Sequence, residues 1–242
     1  MTRENIQKLC EKYKITNYTI NQDLSIDVDG NVDLSLDDII ELPVYFNKVN
    51  GNFICSNNYL DSLKGCPNYV GGHFACNNNK IKLLKDCPKY VGGNFNCFVN
   101  KLISLEGSPE HINYNFSCGR NKLKSLKGSP NYVGRNFYCL NNNLYSLKNG
   151  PKTIKGDFIF NENKIKSFYH IPKTNGYISL EFNPIDELWK LFKNKDYIDY
   201  FNELDIIIDD ETTIILDRLN YFLTDIGKKE ISKDSIKNYK VI

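Results

Sequence analysis

Residues 67–87, PNYVGGHFACNNNKIKLLKDC, are followed directly by residues 88–108, PKYVGGNFNCFVNKLISLEGS. The two segments align without a gap, and a fixed period of this kind decides the architecture before local propensity does. Pro67, Pro88, Pro109, Pro130, Pro151 and Pro172 keep the same 21-residue step. So do Phe53, Phe74, Phe95, Phe116, Phe137 and Phe158 and, two residues later, Cys55, Cys76, Cys97, Cys118, Cys139 and Phe160. An asparagine column follows (Asn58, Asn79, Asn100, Asn121, Asn142, Asn163), then two aliphatic columns that start at Leu60 and Leu63. At the front, Val32, Leu34, Asp37, Ile39 and Leu42 extend the register. At the back, Ile178, Leu180, Asn183, Ile185 and Leu188 extend it with one residue deleted, which makes eight coils, the outer two degenerate.

This pattern predicts a solenoid. Phe-x-Cys alternates at period two, so both side chains point to one face of a short strand and the residue between them to the other. One unit cannot bury its Phe, Cys and two Leu alone. Stacked coils, about 4.8 Å apart, bury one another's columns in a continuous core. The asparagine stands where the chain turns inward, so a structural ladder Asn58, Asn79, Asn100, Asn121, Asn142, Asn163 and Asn183 is expected to satisfy backbone groups of its own and adjacent coils. The Gly71-Gly72 and Gly92-Gly93 pairs suit a tight bend before the strand, and the prolines suit an extended return segment with few ladder bonds.

The unit F-x-C-x-x-N-x-L-x-x-L resembles the leucine-rich repeat core L-x-L-x-x-N-x-L-x-x-L, and its 21-residue period is similar to the short bacterial subclass found in secreted effectors. The whole layout, with NYTINQDLSIDVDGNVDLS near the front, repeats reading LxSLKGxPxYVGGxF, and NPIDELWKLF behind them, resembles leucine-rich repeat proteins encoded by tailed bacteriophages. The resemblance implies an α+β solenoid with a short parallel sheet on its concave face, and a viral source. It implies no defined activity.

A solenoid needs terminal elements over its apolar ends. Residues 1–30 are expected to form an N-terminal cap: a helix over about 3–14, with Ile6, Leu9, Cys10 and Tyr13 on one stripe, and a hairpin through Tyr18, Ile20, Ile26 and Val28. The repeats span 31–188. Asn183-Pro184 with Asp186 and Glu187 reads as a helix start, with Trp189 closing the core, and helical patterns follow at about 196–208 and 211–226. These give a C-terminal helical cap over 189–227, then a loose polar tail over 228–242.

The chain has 242 residues, is 41% hydrophobic and carries a formal charge of +2, so neither a disordered acidic chain nor a bulk polycation is indicated. No run of 18 apolar residues exists and MTRENIQKLCEKYKI is not signal-like, which predicts a soluble protein of the cytoplasm, that of the bacterial host if the chain is phage-encoded. With 33 asparagines and 27 lysines against 4 arginines, the composition also reports A/T-rich codons.

Chemistry-bearing constellations are absent from the pattern. Five cysteines sit in the strand column, Cys66 and Cys87 are a further repeated pair, and there is no CxxC, so the thiols read as reduced, buried hydrophobes rather than disulfides or zinc ligands. His73, His111 and His170 occupy three different positions in three coils. No enzyme, cofactor, metal or small-molecule substrate is therefore expected, nor a membrane partner.

Two surfaces remain. The outward strand positions are mostly small or polar, and Phe98, Tyr138, Leu140 and Ile159, with Val99, Arg120 and His73, are the residues expected to bind a partner there. A host protein, a host-defence component among the candidates, is the expected partner of this non-enzymatic interaction module. Residues 49–173 hold 17 Lys plus Arg against 6 Asp plus Glu, and lysines recur in columns: Lys80, Lys122 and Lys164; Lys82, Lys124 and Lys166; and Lys127. These stripes are either a nucleic-acid-binding flank or a solvated face that prevents edge pairing. A virion or self-assembly component is a third reading.

Overall fold

In the computed structural model, which describes residues 1–208 and 211–242, every repeat contributes one rung to an eight-stranded parallel sheet. Phe53 pairs with Phe74, Phe74 with Phe95, Phe95 with Phe116, Phe116 with Phe137 and Phe137 with Phe158, so the register equals the sequence period. Val32 joins in front of Phe53, and Ile178 pairs with Phe158 across a step shortened by one residue. Seven turns of chain connect the eight strands of this parallel β-solenoid.

The return leg departs from the expectation of few ladder bonds. Tyr69–Val70, Tyr90–Val91, His111–Ile112, Tyr132–Val133 and Thr153–Ile154 are strands, each starting two residues after a repeated proline. Proline removes one donor at the entry and leaves the following residues free to pair. Val70, Val91, Ile112, Val133 and Ile154 face the core and are fully buried, an apolar column that the Phe-x-Cys pattern alone leaves out. With the Phe, Cys and Leu columns they form one continuous apolar cluster, and each buried large side chain contributes about 1.5–3 kcal/mol relative to exposure.

This second side of the solenoid is split. One five-stranded sheet ends at Tyr90–Val91 and a separate four-stranded sheet begins at His111–Ile112. The split falls at the one turn whose bend lacks glycine. Where other turns carry Asn50-Gly51, Gly71-Gly72, Gly92-Gly93, Gly134-Arg135 or Lys155-Gly156, this one carries Asn113-Tyr114. A Cβ built on Gly92 would lie 2.1 Å from the Gly71 carbonyl oxygen, and one on Gly93 would lie 2.2 Å from His73 Nδ1. Two consecutive side chains at this approach push the turns apart.

Helix α1, Arg3–Lys12, buries Ile6 and Cys10 and is capped by Thr2, whose hydroxyl accepts from Asn5 N–H. Tyr18–Ile20 and Ile26–Val28 form the expected antiparallel hairpin, and Ile26–Val28 continues in parallel onto Phe46–Val49. At the other end lie α2, Asp186–Phe192, α3, Ile198–Glu203, and α4, Leu216–Asp225. Helix α2 starts without a side-chain cap: its N-cap position falls on the apolar Ile185, and the Asn183 amide is held by the ladder described below. The pattern over 196–208 yields only a short 3₁₀ turn and α3. The pattern over 211–226 becomes helical only at Leu216, since Thr213–Ile214 is taken into a strand. Its partner is Lys240–Val241, so the tail expected to be loose is packed: Ile236, Tyr239 and Val241 are buried, and Tyr239 Oη donates to the Lys166 carbonyl at 2.8 Å. Among the described residues no helix is long and apolar enough to cross a membrane.

Candidate binding surface

The strand turns inward at the asparagine column, and its amides are fully used. Asn100 Nδ2 donates to the carbonyls of Cys76 and Cys97 at 3.0 and 3.2 Å, while its Oδ1 accepts from Ile81 N–H at 3.0 Å. The same set recurs at Asn58, Asn79, Asn121, Asn142 and Asn163, and Asn183 ends it by bonding Phe160, Leu180 and Ile165. Each amide thus ties its own turn to the one before it.

A second ladder runs along the outward face of the eight-stranded sheet, and the motif does not announce it. Backbone N–H groups of Asn52, His73, Asn94, Asn115, Asn136 and Asp157 each donate to the side chain one turn earlier, at Asn31, Asn52, His73, Asn94, Asn115 and Asn136. In this row His73 is a structural member. Its Nδ1 accepts from Asn94 N–H at 2.8 Å, which places the ring proton on Nε2. His73 therefore stands with the asparagines rather than with the apolar candidates.

Those candidates are less exposed than the alternation implied. Phe98, Tyr138 and Leu140 are half-buried and Ile159 is buried, at 9% exposure. The cause is mutual cover. Gly119 lies between Phe98 and Leu140 in its column, and a Cβ there would meet the Phe98 ring at 2.6 Å and the Leu140 side chain at 3.0 Å, so the two lean over the glycine. The Arg120 guanidinium sits 5.7 Å from the Phe98 ring centre, a cation–π contact, and Tyr138 Oη accepts from Asn136 Nδ2 at 2.8 Å. Tyr138 and Ile159 are direct partners across the sheet. The fold thus brings Phe98, Arg120 and Leu140 together around Gly119, with Tyr138 and Ile159 in the adjoining column.

Val99 and Arg120 share another unannounced feature. Leu36, Asn57, Asn78, Val99, Arg120, Asn141, Glu162 and Phe182 all have φ between +50° and +63°, one residue per turn. Asparagine tolerates this left-handed conformation, whereas a β-branched valine there is strained. Leu36 and Phe182, the ends of the column, are 75% and 78% exposed.

The lysine flank is solvent-facing: Lys80, Lys82, Lys101, Lys122, Lys124 and Lys164 are exposed and Lys166 is half-buried. Lys80 lies 4.7 Å from the Tyr59 ring centre and Lys164 5.1 Å from that of Tyr145. Lys127 is the exception, paired with Glu106 at 2.8 Å, and that contact raises the ammonium's pKa and lowers the carboxylate's. All eight thiols are buried and unbridged. Burial holds Cys76, Cys97, Cys118 and Cys139 above the ordinary thiol range and pushes Cys87 up to about 12. Among the described residues no group of three or more His, Cys, Asp or Glu is placed to hold a metal ion.

Compared with known proteins, the chain matches no family model and no curated sequence.

Proposed function

We propose that this chain is a non-enzymatic binding solenoid of the leucine-rich repeat kind, its ends covered by the terminal helices, that engages a protein through the outward face of the eight-stranded sheet. The observation carrying this reading is the Phe98–Arg120–Leu140 cluster around Gly119, with Tyr138 beside it: an apolar and aromatic patch with an arginine, on a face otherwise lined mostly by asparagine and small residues. The repeat assignment is supported by the asparagine ladder, whose amides bond the backbone one turn back at the position where the motif carries its asparagine. The resemblance to phage proteins makes a bacterial host protein, including a host-defence component, the partner class to test. Affinity capture from bacterial lysate with the full chain tests the reading, against a Tyr138→Asp/Leu140→Asp variant shown by circular dichroism to be folded. Specific capture that the variant loses is expected; no captured protein, or capture indifferent to both substitutions, overturns it.

A second reading, nucleic-acid binding along the lysine columns, is favoured by one observation: Lys80, Lys101 and Lys122 are exposed on successive turns with no carboxylate partner among the described residues. It requires affinity that falls steeply with salt. Gel-shift titrations at two salt concentrations, with and without neutralisation of Lys82, Lys124 and Lys166, check it.

A further inference from the structure

The outward column of the return strands is aromatic: Tyr69, Tyr90, His111 and Tyr132 occupy it on four successive turns. Tyr69 and Tyr90 stack with centroids 4.8 Å apart and planes 7° from parallel, and His111 and Tyr132 stack at 4.3 Å and 10°. Between Tyr90 and His111 there is no ring contact. The interruption coincides with the split between the two sheets. Lys89, Gly92 and Gly93 donate back to Asn68, Val70 and Gly72, and Asn131, Gly134 and Arg135 donate back to Glu110, Ile112 and Tyr114. No backbone bond joins 89–93 to 110–114. On the opposite side the same two turns stay closed, with Phe95 N–H on the Asn115 carbonyl and Cys97 N–H on that of Ser117, each at 2.9 Å. The turns therefore open as a wedge on the aromatic side only.

Each ring flanking the wedge has one face used by its stacking partner and the other turned towards the gap. Tyr90 is 47% exposed although stacked, and His111 is exposed. Two cations stand near the gap: Lys89 is exposed on one flanking turn, and Arg135, one turn beyond the other, holds its guanidinium 4.8 Å from the Tyr114 ring centre; the exposed carboxylates on the flanking turns are Asp86, Glu110 and Glu106, the last paired with Lys127. A planar ring between Tyr90 and His111 would complete a five-ring stack, and an anionic group attached to it would be drawn to Lys89 and Arg135. We propose that this wedge is a binding site for a nucleobase carrying phosphate, presented by single-stranded nucleic acid or by a free nucleotide. Stacking on aromatic side chains beside cations is how such ligands are held without base-specific hydrogen bonds. The site is independent of the protein-binding face, which lies on the other sheet, and of the lysine columns.

The test is fluorescence anisotropy of the full chain with a labelled oligo-dT of about 12 nucleotides in about 50 mM salt, with adenosine monophosphate as competitor. Wild type should bind, and Tyr90→Ala should weaken binding by roughly tenfold or more while Tyr90→Phe retains it. The decisive variant is Asn113→Gly/Tyr114→Gly, which restores the glycine pair and removes neither flanking ring. It should close the wedge, seen as slower hydrogen exchange over residues 110–114, and weaken binding by a similar factor. Competition by the mononucleotide identifies a free nucleotide as a sufficient ligand; binding of the oligonucleotide alone identifies the strand. No binding by wild type, or binding unchanged in both Tyr90→Ala and the double-glycine variant, overturns the proposal.

Discussion

Asn121 reaches back 24 residues to donate its Nδ2 to the carbonyl of Cys97 at 3.1 Å. The same nitrogen donates to Cys118 and Gly119, and Oδ1 accepts from Leu102 N–H at 2.9 Å, so one buried amide serves four backbone groups on two turns. Neighbouring amides share the load: the Cys97 carbonyl also accepts from Asn100, that of Cys118 from Asn142 and that of Gly119 from Val99 N–H, whereas, among the described residues, Leu102 N–H depends on Asn121 alone. The stack is therefore held by a line of polar groups running through its apolar interior.

Asn121→Leu should cost about 2–3 kcal/mol, because a similar volume is kept while the buried Leu102 N–H loses its acceptor and three carbonyls each lose one of their donors. Asn121→Asp should cost at least as much, since the carboxylate cannot donate and would be buried. Urea unfolding monitored by circular dichroism measures both, and an effect below about 0.5 kcal/mol would contradict the ladder's role.

His73→Asn should leave stability within about 0.5 kcal/mol of wild type, because asparagine fills this row in the neighbouring turns. His73→Ala should lose roughly 1 kcal/mol, leaving Asn94 N–H without its acceptor. Thermal unfolding of the pair separates this structural role from the partner-contact role suggested by the sequence.

Val99→Asn should raise stability by about 1 kcal/mol, since φ of +52° strains a β-branched residue and asparagine occupies the same position at Asn57, Asn78 and Asn141. If Val99 contributes to the partner surface beside Phe98, the same variant should capture less partner. A more stable but weaker-binding protein is the expected combination.

Burial raises the Cys87 thiol from 9.0 to about 12. The unfolded chain therefore releases this proton first as pH rises, so the contribution is complete below pH 9 and is lost as pH climbs through the folded value. Denaturation midpoints should fall across this alkaline window, and the fall should be shallower in Cys87→Ala. In native buffer all eight buried thiols should react with a disulfide reagent only as fast as the chain opens.

The repeat carried the main architecture because stacking makes sequence register and spatial register the same thing. Phe74 lies beside Phe95 for the reason that the two are one period apart. The Phe, Cys, Asn and Leu columns are legible for that reason. The Val70–Val91–Ile112 column repeats equally well, but a lone apolar residue after Tyr gives no alternation from which to read a strand. The packing of the tail is not legible in the same way, because its apolar groups, Ile236, Tyr239 and Val241, are sparse and find cover only on elements far away in the chain: Tyr239 bonds Lys166, and Lys237 and Asn238 donate to the Glu187 carboxylate.

The candidate surfaces divide in the same way. From the sequence alone came the period, the inward columns and the list of side chains pointing out of the strand. Only the folded chain decided that Phe98 and Leu140 cover Gly119, that Ile159 is buried, that His73 belongs to a hydrogen-bonded row, and that the turns part between Tyr90 and His111. Periodicity assigns a residue to a face, but whether it is covered there depends on the size of its neighbours one turn away, and those are the positions at which the repeats differ.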